Sequence, residues 1–254
     1  MAKDLGPRRL KAQDAEFVYR QKCCPRTSAL DFLTYGTVQL LPDCSSGEQY
    51  HHDEEALLFN MRSRFAVTIG SERFELSHYD TLYVPLGTPY EIENTGDDVG
   101  ELVLCRAIAE NRHVPFHSSW EAFRANEERI RHLDGKDVFL MFDVSEAADK
   151  LIAGYTLYEP HTRAYPPHNH TDQEEIYIFT QGKGAMEVYL DEKSKTFVTS
   201  VDQMDAVTIP LHYYHPVFSQ EEPLHFIWCI AGERYWVGDK NKAFMDATVD
   251  QLTT

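Results

Sequence analysis

The sequence predicts an all-β chain folded as two tandem barrels, each a closed or double-layered set of short strands. Two observations carry this. The stretch YDTLYVPLGTPY (79–90) returns as MDAVTIPLHYYH (204–215), aligning Asp80 with Asp205, Pro85 with Pro210 and Leu86 with Leu211, and EEALLF (54–59) returns as EEIYIF (174–179). A pattern recurring within one chain marks two copies of one structural unit. Both copies are also built of short apolar segments cut by Gly, Pro and Asp, as in GSERFELSHYDTLYVPLG, which is the punctuation of many short strands.

Taken in order, residues 1–113 form the first barrel, 114–136 a connector, and 137–254 the second barrel with a C-terminal tail. Within the connector, VPFHSSWEAFRANEERIRHLDG is the helical candidate: Ser118 or Ser119 caps it, Phe123, Ile130 and Leu133 recur near helical spacing, and Asp134-Gly135 stops it. In the second barrel, Glu175, Tyr177 and Phe179 share one face of a strand and Ile176 and Ile178 the other, with Gly182 and Gly184 at the turn after it.

Composition narrows the classes. A hydrophobic share of 43% over 254 residues supplies ample core for a globular protein. The net charge of −17, without a basic block, argues against a nucleic-acid partner. The start MAKDL has no apolar signal region and no run reaches the length of a membrane span, so the expectation is a cytoplasmic protein without a membrane partner. Five cysteines, with Cys23 and Cys24 adjacent, do not form a disulfide framework, and Cys105 and Cys229 in apolar runs read as buried free thiols.

The residues that carry chemistry lie in PPHNHTDQEEIYIFTQG and IPLHYYHP. His168 and His170, two apart, point the same way in an extended segment and lie about 7 Å apart along it. Glu175 follows His170 by five positions, an odd number, so 171–173 must break the alternation, with Thr171 and Asp172 as turn residues. A second hairpin must deliver His215. Imidazole and carboxylate donors without thiolate suit a divalent transition metal that keeps positions open for substrate. In the first half the repeat sets Glu55 against Glu175, Glu48 against His168, Tyr50 against His170 and Tyr90 against His215. His51 and His52, being adjacent, face opposite sides of a strand, so the first barrel is expected to hold no metal and to serve in packing.

The spacing H-x-H-x4-E-x6-G with a later P-x4-H resembles the two signature motifs of the cupins, and a degenerate first barrel before a metal-bearing second one resembles a bicupin. More narrowly, GYTLYEPHTRAYPPHNHTDQEEIYIF, IPLHYYHPV and FIWCIAGERYW resemble the sugar isomerases comprising 5-deoxy-glucuronate isomerase and 5-keto-4-deoxyuronate isomerase. The resemblance implies tandem double-stranded β-helix (jelly-roll) barrels, metal ligands at His168, His170, Glu175 and His215, one divalent ion per chain, and a homo-oligomer. Zinc stands first among the metals, with manganese, iron, nickel and cobalt also compatible. The implied reaction is aldose–ketose interconversion of an open-chain sugar acid by a metal-chelated enediolate route, with the choice between the two substrates left open.

Such a reaction needs a base to move a proton between neighbouring carbons, for which Glu187, Tyr189 and His212 are the candidates by position. A substrate carboxylate in so acidic a protein needs a cation: Arg163 and Arg234 are placed for that, and Tyr177 for substrate contact beside Glu175. Two alternatives share the ligand set, an iron-dependent dioxygenase of a small organic acid and a non-enzymatic sugar-binding bicupin.

Overall fold

Turn chemistry and period-two alternation divide the chain into strands, and the computed structural model describes residues 16–143, 145–164, 167–191, 193–195 and 197–232. The first half comprises β1 (Phe17–Cys23), β2 (Leu33–Leu40), β3 (Ser45–Gln49), β4 (Glu54–Arg62), β5 (Phe65–Ile69), β6 (Glu72–Leu76), β7 (Thr81–Val84), β8 (Tyr90–Asn94) and β9 (Gly100–Ile108). After β10 (Phe116–Ser118), the helix α1 (Trp120–Arg124) and β11 (Ile130–Leu133) come β12 (Lys136–Phe142), β13 (Ile152–Tyr158), β14 (Gln173–Gln181), β15 (Gly184–Val188), β16 (Phe197–Val201), β17 (Ala206–Ile209), β18 (Val217–Ser219) and β19 (Leu224–Gly232).

Each half pairs a six-stranded sheet with a smaller one. The large sheets run β1-β2-β9-β4-β7-β10 and β11-β12-β13-β19-β14-β17, and the small ones β3-β8-β5-β6 and β16-β15-β18. The orders superpose, β2 on β13, β9 on β19, β4 on β14 and β7 on β17, so the sequence repeat is a repeat of topology. Aspartates common to both copies close the same turn: Asp80 Oδ2 accepts the Ser77 N–H and Asp205 Oδ2 that of Asp202, each at 2.8 Å.

Alternation along β14 separates two cores. Tyr177 and Phe179 point into the second barrel with Met186, Ile209 and Phe226, while Ile176 and Ile178 point outward. There they meet Leu57, Phe59, Val103 and Cys105 of the first half, so the two large sheets pack face to face over a shared apolar layer. The packing role expected of the first half is thereby located. Cys105 and Cys229 are free and buried in this layer.

The helix expected across the connector is shorter than its spacing predicts. It stops at Arg124, and Asn126 accepts the Glu128 N–H at 3.1 Å to start a single 3₁₀ turn. Ile130 and Leu133 lie on β11, which pairs with β12, and Gly135 at φ +65 makes Asp134-Gly135 a hairpin turn instead of a helix stop. Neither serine caps with its side chain: Ser119 makes no such bond, and Ser118 Oγ donates to the Met141 carbonyl. The connector therefore adds one edge strand to each large sheet, β10 beside β7 and β11 beside β12. Among the described residues no helix is long and apolar enough to cross a membrane.

Candidate metal centre

His168, His170, Glu175 and His215 converge inside the second barrel, their nearest donor atoms all within 4.8 Å of one another. Glu175 arrives from β14, on the inward face that Tyr177 shares. His168 and His170 come from the irregular segment before it, and a bend at Thr171 and Asp172 absorbs the odd spacing. His215 lies just past the turn after β17. That turn is tied to the histidine segment by backbone: the His212 N–H donates to the His170 carbonyl at 2.7 Å, and Asn169 Nδ2 to the His212 carbonyl at 3.0 Å.

The ligand geometry is compact. Glu175 Oε2 lies 3.1 Å from both His170 Nε2 and His215 Nε2, and His215 Nε2 lies 3.1 Å from His168 Nε2. Donors about 2.1 Å from one ion stand roughly 3–4 Å apart, so the four atoms fit a single divalent metal after small adjustments. His215 Nδ1 donates to the Tyr213 carbonyl at 3.0 Å, which orients the ring and turns Nε2 toward the cluster. His170, Glu175 and His215 are buried and His168 is half-buried, leaving the His168 side the more open. Burial opposes ionisation of Glu175, but the hydrogen bonds and charge of His170 and His215 outweigh it and hold the carboxyl down at about 2. The site thus keeps an anionic ligand at physiological pH.

Two phenols line the same interior. Tyr177 meets the His215 ring edge-on at 5.6 Å and stacks on Phe226 at 4.5 Å. Burial and the Glu175 charge push Tyr177 and Tyr158 upward, so both present protonated hydroxyls. Tyr158 is absent from the sequence-based candidates because an aromatic near the end of an apolar strand reads as core.

The surroundings of the described base and cation candidates differ from one another. Glu187 lies on the face of β15 opposite Met186 and Val188, which are the interior residues, and it pairs with Lys195. Tyr189 stacks on Tyr214 at 5.6 Å with Lys195 Nζ 5.2 Å from its ring. The His212 side chain is exposed, and its contribution is a backbone bond at φ +69, at the place Gly87 fills at φ +57 in the first half. Arg163 is exposed with its guanidinium over the Phe218 ring at 4.8 Å, and Arg234 lies outside the described residues. Tyr177 has a side-chain ring contact with the ligand cluster, through His215.

Strand registers correct the comparison between halves. Glu175 pairs with Ile230 and Ile209, whereas Ala56 pairs with Arg106 and Val84 at the same places, so Ala56 and not Glu55 is the counterpart of Glu175. Glu55 matches Glu174, because a slip of one residue exchanges the faces of a strand. Near Ala56 the first barrel has a different polar centre: Arg106 donates to Glu54 at 2.6 Å, Tyr19 at 3.0 Å and His51 Nδ1 at 2.9 Å, while His51 Nε2 contacts Tyr90 OH at 2.9 Å. Burial and the Arg106 charge lower His51 to about 4, keeping it neutral as an acceptor. A guanidinium supplies the cation there.

Two tandem barrels of the cupin type, one of which gathers three histidines and a glutamate, define a bicupin with a ligand set for a divalent metal. The chain belongs to the KduI/IolB family, whose pattern matches residues 8–247. It is similar to 4-deoxy-L-threo-5-hexosulose-uronate ketol-isomerase of Bacillus pumilus (strain SAFR-032), at 24% identity over 208 residues, 78% of this chain and 74% of that protein. A 55-residue match at 33% identity to an uncharacterized protein of Methanocaldococcus jannaschii covers 22% of this chain and 44% of the relative, so the chain spans less than half of that protein's length. Among solved structures, an IolB-like protein from Salmonella typhimurium LT2 shares the fold with a TM-score of 0.75 at 18% identity, over 90% of this chain and 95% of that one.

Proposed function

We propose that the protein is a metal-dependent isomerase that interconverts aldose and ketose forms of an open-chain sugar acid of the keto-deoxyuronate or deoxy-glucuronate kind. The observation that carries this reading is the complete His₃Glu set gathered inside the second barrel of a KduI/IolB family member. The likeness to a uronate ketol-isomerase along 78% of the chain favours it over a dioxygenase or a binding module. His168, His170, Glu175 and His215 would hold the ion, and a nitrogen and oxygen donor set with the His215 ring oriented by Tyr213 suits zinc. A divalent ion supplies Lewis acidity to a carbonyl and its neighbouring hydroxyl. The chain's own contribution is to exclude water with Tyr158, Met186 and Phe226, and to offer the protonated Tyr177 hydroxyl beside the ligands as a donor to substrate oxygen.

The test is elemental analysis of the purified protein with an NMR assay on 4-deoxy-5-keto-uronate and 5-deoxy-glucuronate. One equivalent of metal, turnover of one substrate, and loss of both in His170→Ala and after chelation are expected. Turnover that survives chelation and His170→Ala sinks the proposal, as does oxygen uptake dependent on substrate.

A further inference from the structure

Beside the ligand Glu175 stands a second buried carboxylate that faces the other way. Glu174 points out of the second barrel into the layer between the sheets, and its side chain is fully buried. It accepts three successive backbone N–H groups from the first half: Asp31 at 2.6 Å on Oε2, Phe32 at 2.7 Å on Oε1, and Leu33 also on Oε1. The first half returns the same contact. Glu55, equally buried, accepts the N–H groups of Asp149, Lys150 and Leu151 at 2.9, 2.6 and 2.8 Å, together with the Tyr83 hydroxyl at 2.7 Å. Two reciprocal clasps therefore cross the interface, each closing a carboxylate with a loop that leads into β2 or β13.

The clasps differ in the next residue along the strand. After Glu55 comes Ala56, which ligates nothing, and after Glu174 comes Glu175. Adjacent residues of a strand project to opposite faces, so fixing the direction of one side chain fixes the rotation of the peptide that aims the next. We infer that Glu174 is a positioning residue for the metal centre: the loop 31–33 of the first barrel, by clasping Glu174, sets the angle at which Glu175 meets His170 and His215. The first barrel then has a part in the chemistry of the second. This rests on the metal-site reading above, and Glu55 provides an internal control with the same kind of clasp and no ligand beside it.

The experiment compares Glu174→Gln with Glu55→Gln in the full chain, each loaded with zinc or cobalt(II). An amide keeps the size of the side chain but places an NH₂ against backbone donors, so both variants should lose thermal stability. Zinc affinity by chelator competition should fall about 10–100-fold in Glu174→Gln alone, the range typical for groups that orient a ligand, with altered visible bands of the cobalt form. Affinity in Glu174→Gln equal to wild type, or weakened equally in Glu55→Gln, overturns the inference while the metal site stands. A wild-type chain that binds neither ion overturns the metal-site reading and the inference with it. Should Glu174→Gln fail to fold, Asp31→Pro deletes one donor from the first barrel and carries the same expectation: weaker zinc binding supports the positioning role and unchanged binding overturns it.

Discussion

At the scale of single residues, acidity and charge decide the behaviour of the two polar centres. The Glu175 carboxyl titrates near 2 when folded, below its ordinary value of 4.5. A lowered folded value contributes stability above the ordinary value, and this is lost as pH falls toward 2. In metal-free protein the melting-temperature gap between wild type and Glu175→Gln should therefore narrow over that window, as thermal scans at several pH values will read. In the first barrel, Arg106→Ala strands Glu54 and removes the donor to Tyr19 and His51, with an expected destabilisation of about 3 kcal/mol by denaturant unfolding. Bound metal per chain should not change, because the second barrel keeps its ligands. The cluster of His168, His170, Glu175 and His215 was legible in the sequence because donor type and spacing are local properties. Where the side chains of Glu187 and His212 face was not legible, since facing direction depends on strand register and on a turn at positive φ.

At the scale of elements, alternation and turn residues made most strands legible, including the division of faces along β14. The connector was misread because Phe123, Ile130 and Leu133 fit a helical period while Asp134-Gly135 also fits a hairpin, and pairing with β12 decides between them. The counterpart of Glu175 was misassigned for a related reason: EE occurs in both halves, and identity of letters hid a shift of one residue. Close packing within strands carries its own prediction. A Cβ on Gly154 of β13 would lie 2.1 Å from the Trp228 ring and 2.4 Å from the Phe139 carbonyl. Gly154→Ala should destabilise by about 1–3 kcal/mol through overpacking, measured by thermal unfolding.

At the scale of the whole molecule, the repeat was legible and its purpose was not, because an interface between halves is made of residues distant in sequence. The shared layer includes Tyr155, whose ring lies 4.9 Å from both Tyr79 and Trp120, so the connector helix is wedged into it. The outer surface bears on assembly. Leu190, together with Phe197 and Val198 of the edge strand β16, is exposed, at 52%, 47% and 61% respectively. Such an edge offers unpaired backbone groups to a further strand. Light scattering of Val198→Lys against the unsubstituted chain tests the homo-oligomer that the family resemblance implies: a lower mass in the variant is the outcome expected of pairing at β16, and an unchanged mass removes β16 from any such contact.

The reciprocal clasps bear on the order in which the chain is made. When residues 16–118 have left the ribosome, the first barrel has all of its strands, yet the N–H groups of Asp31, Phe32 and Leu33 lack their acceptor and Glu55 lacks its partner loop. Leu57, Phe59 and Val103 face water for the same interval. The nascent first half thus has its described strands and is open on one side until the second half, through β19, has been translated and can cover it.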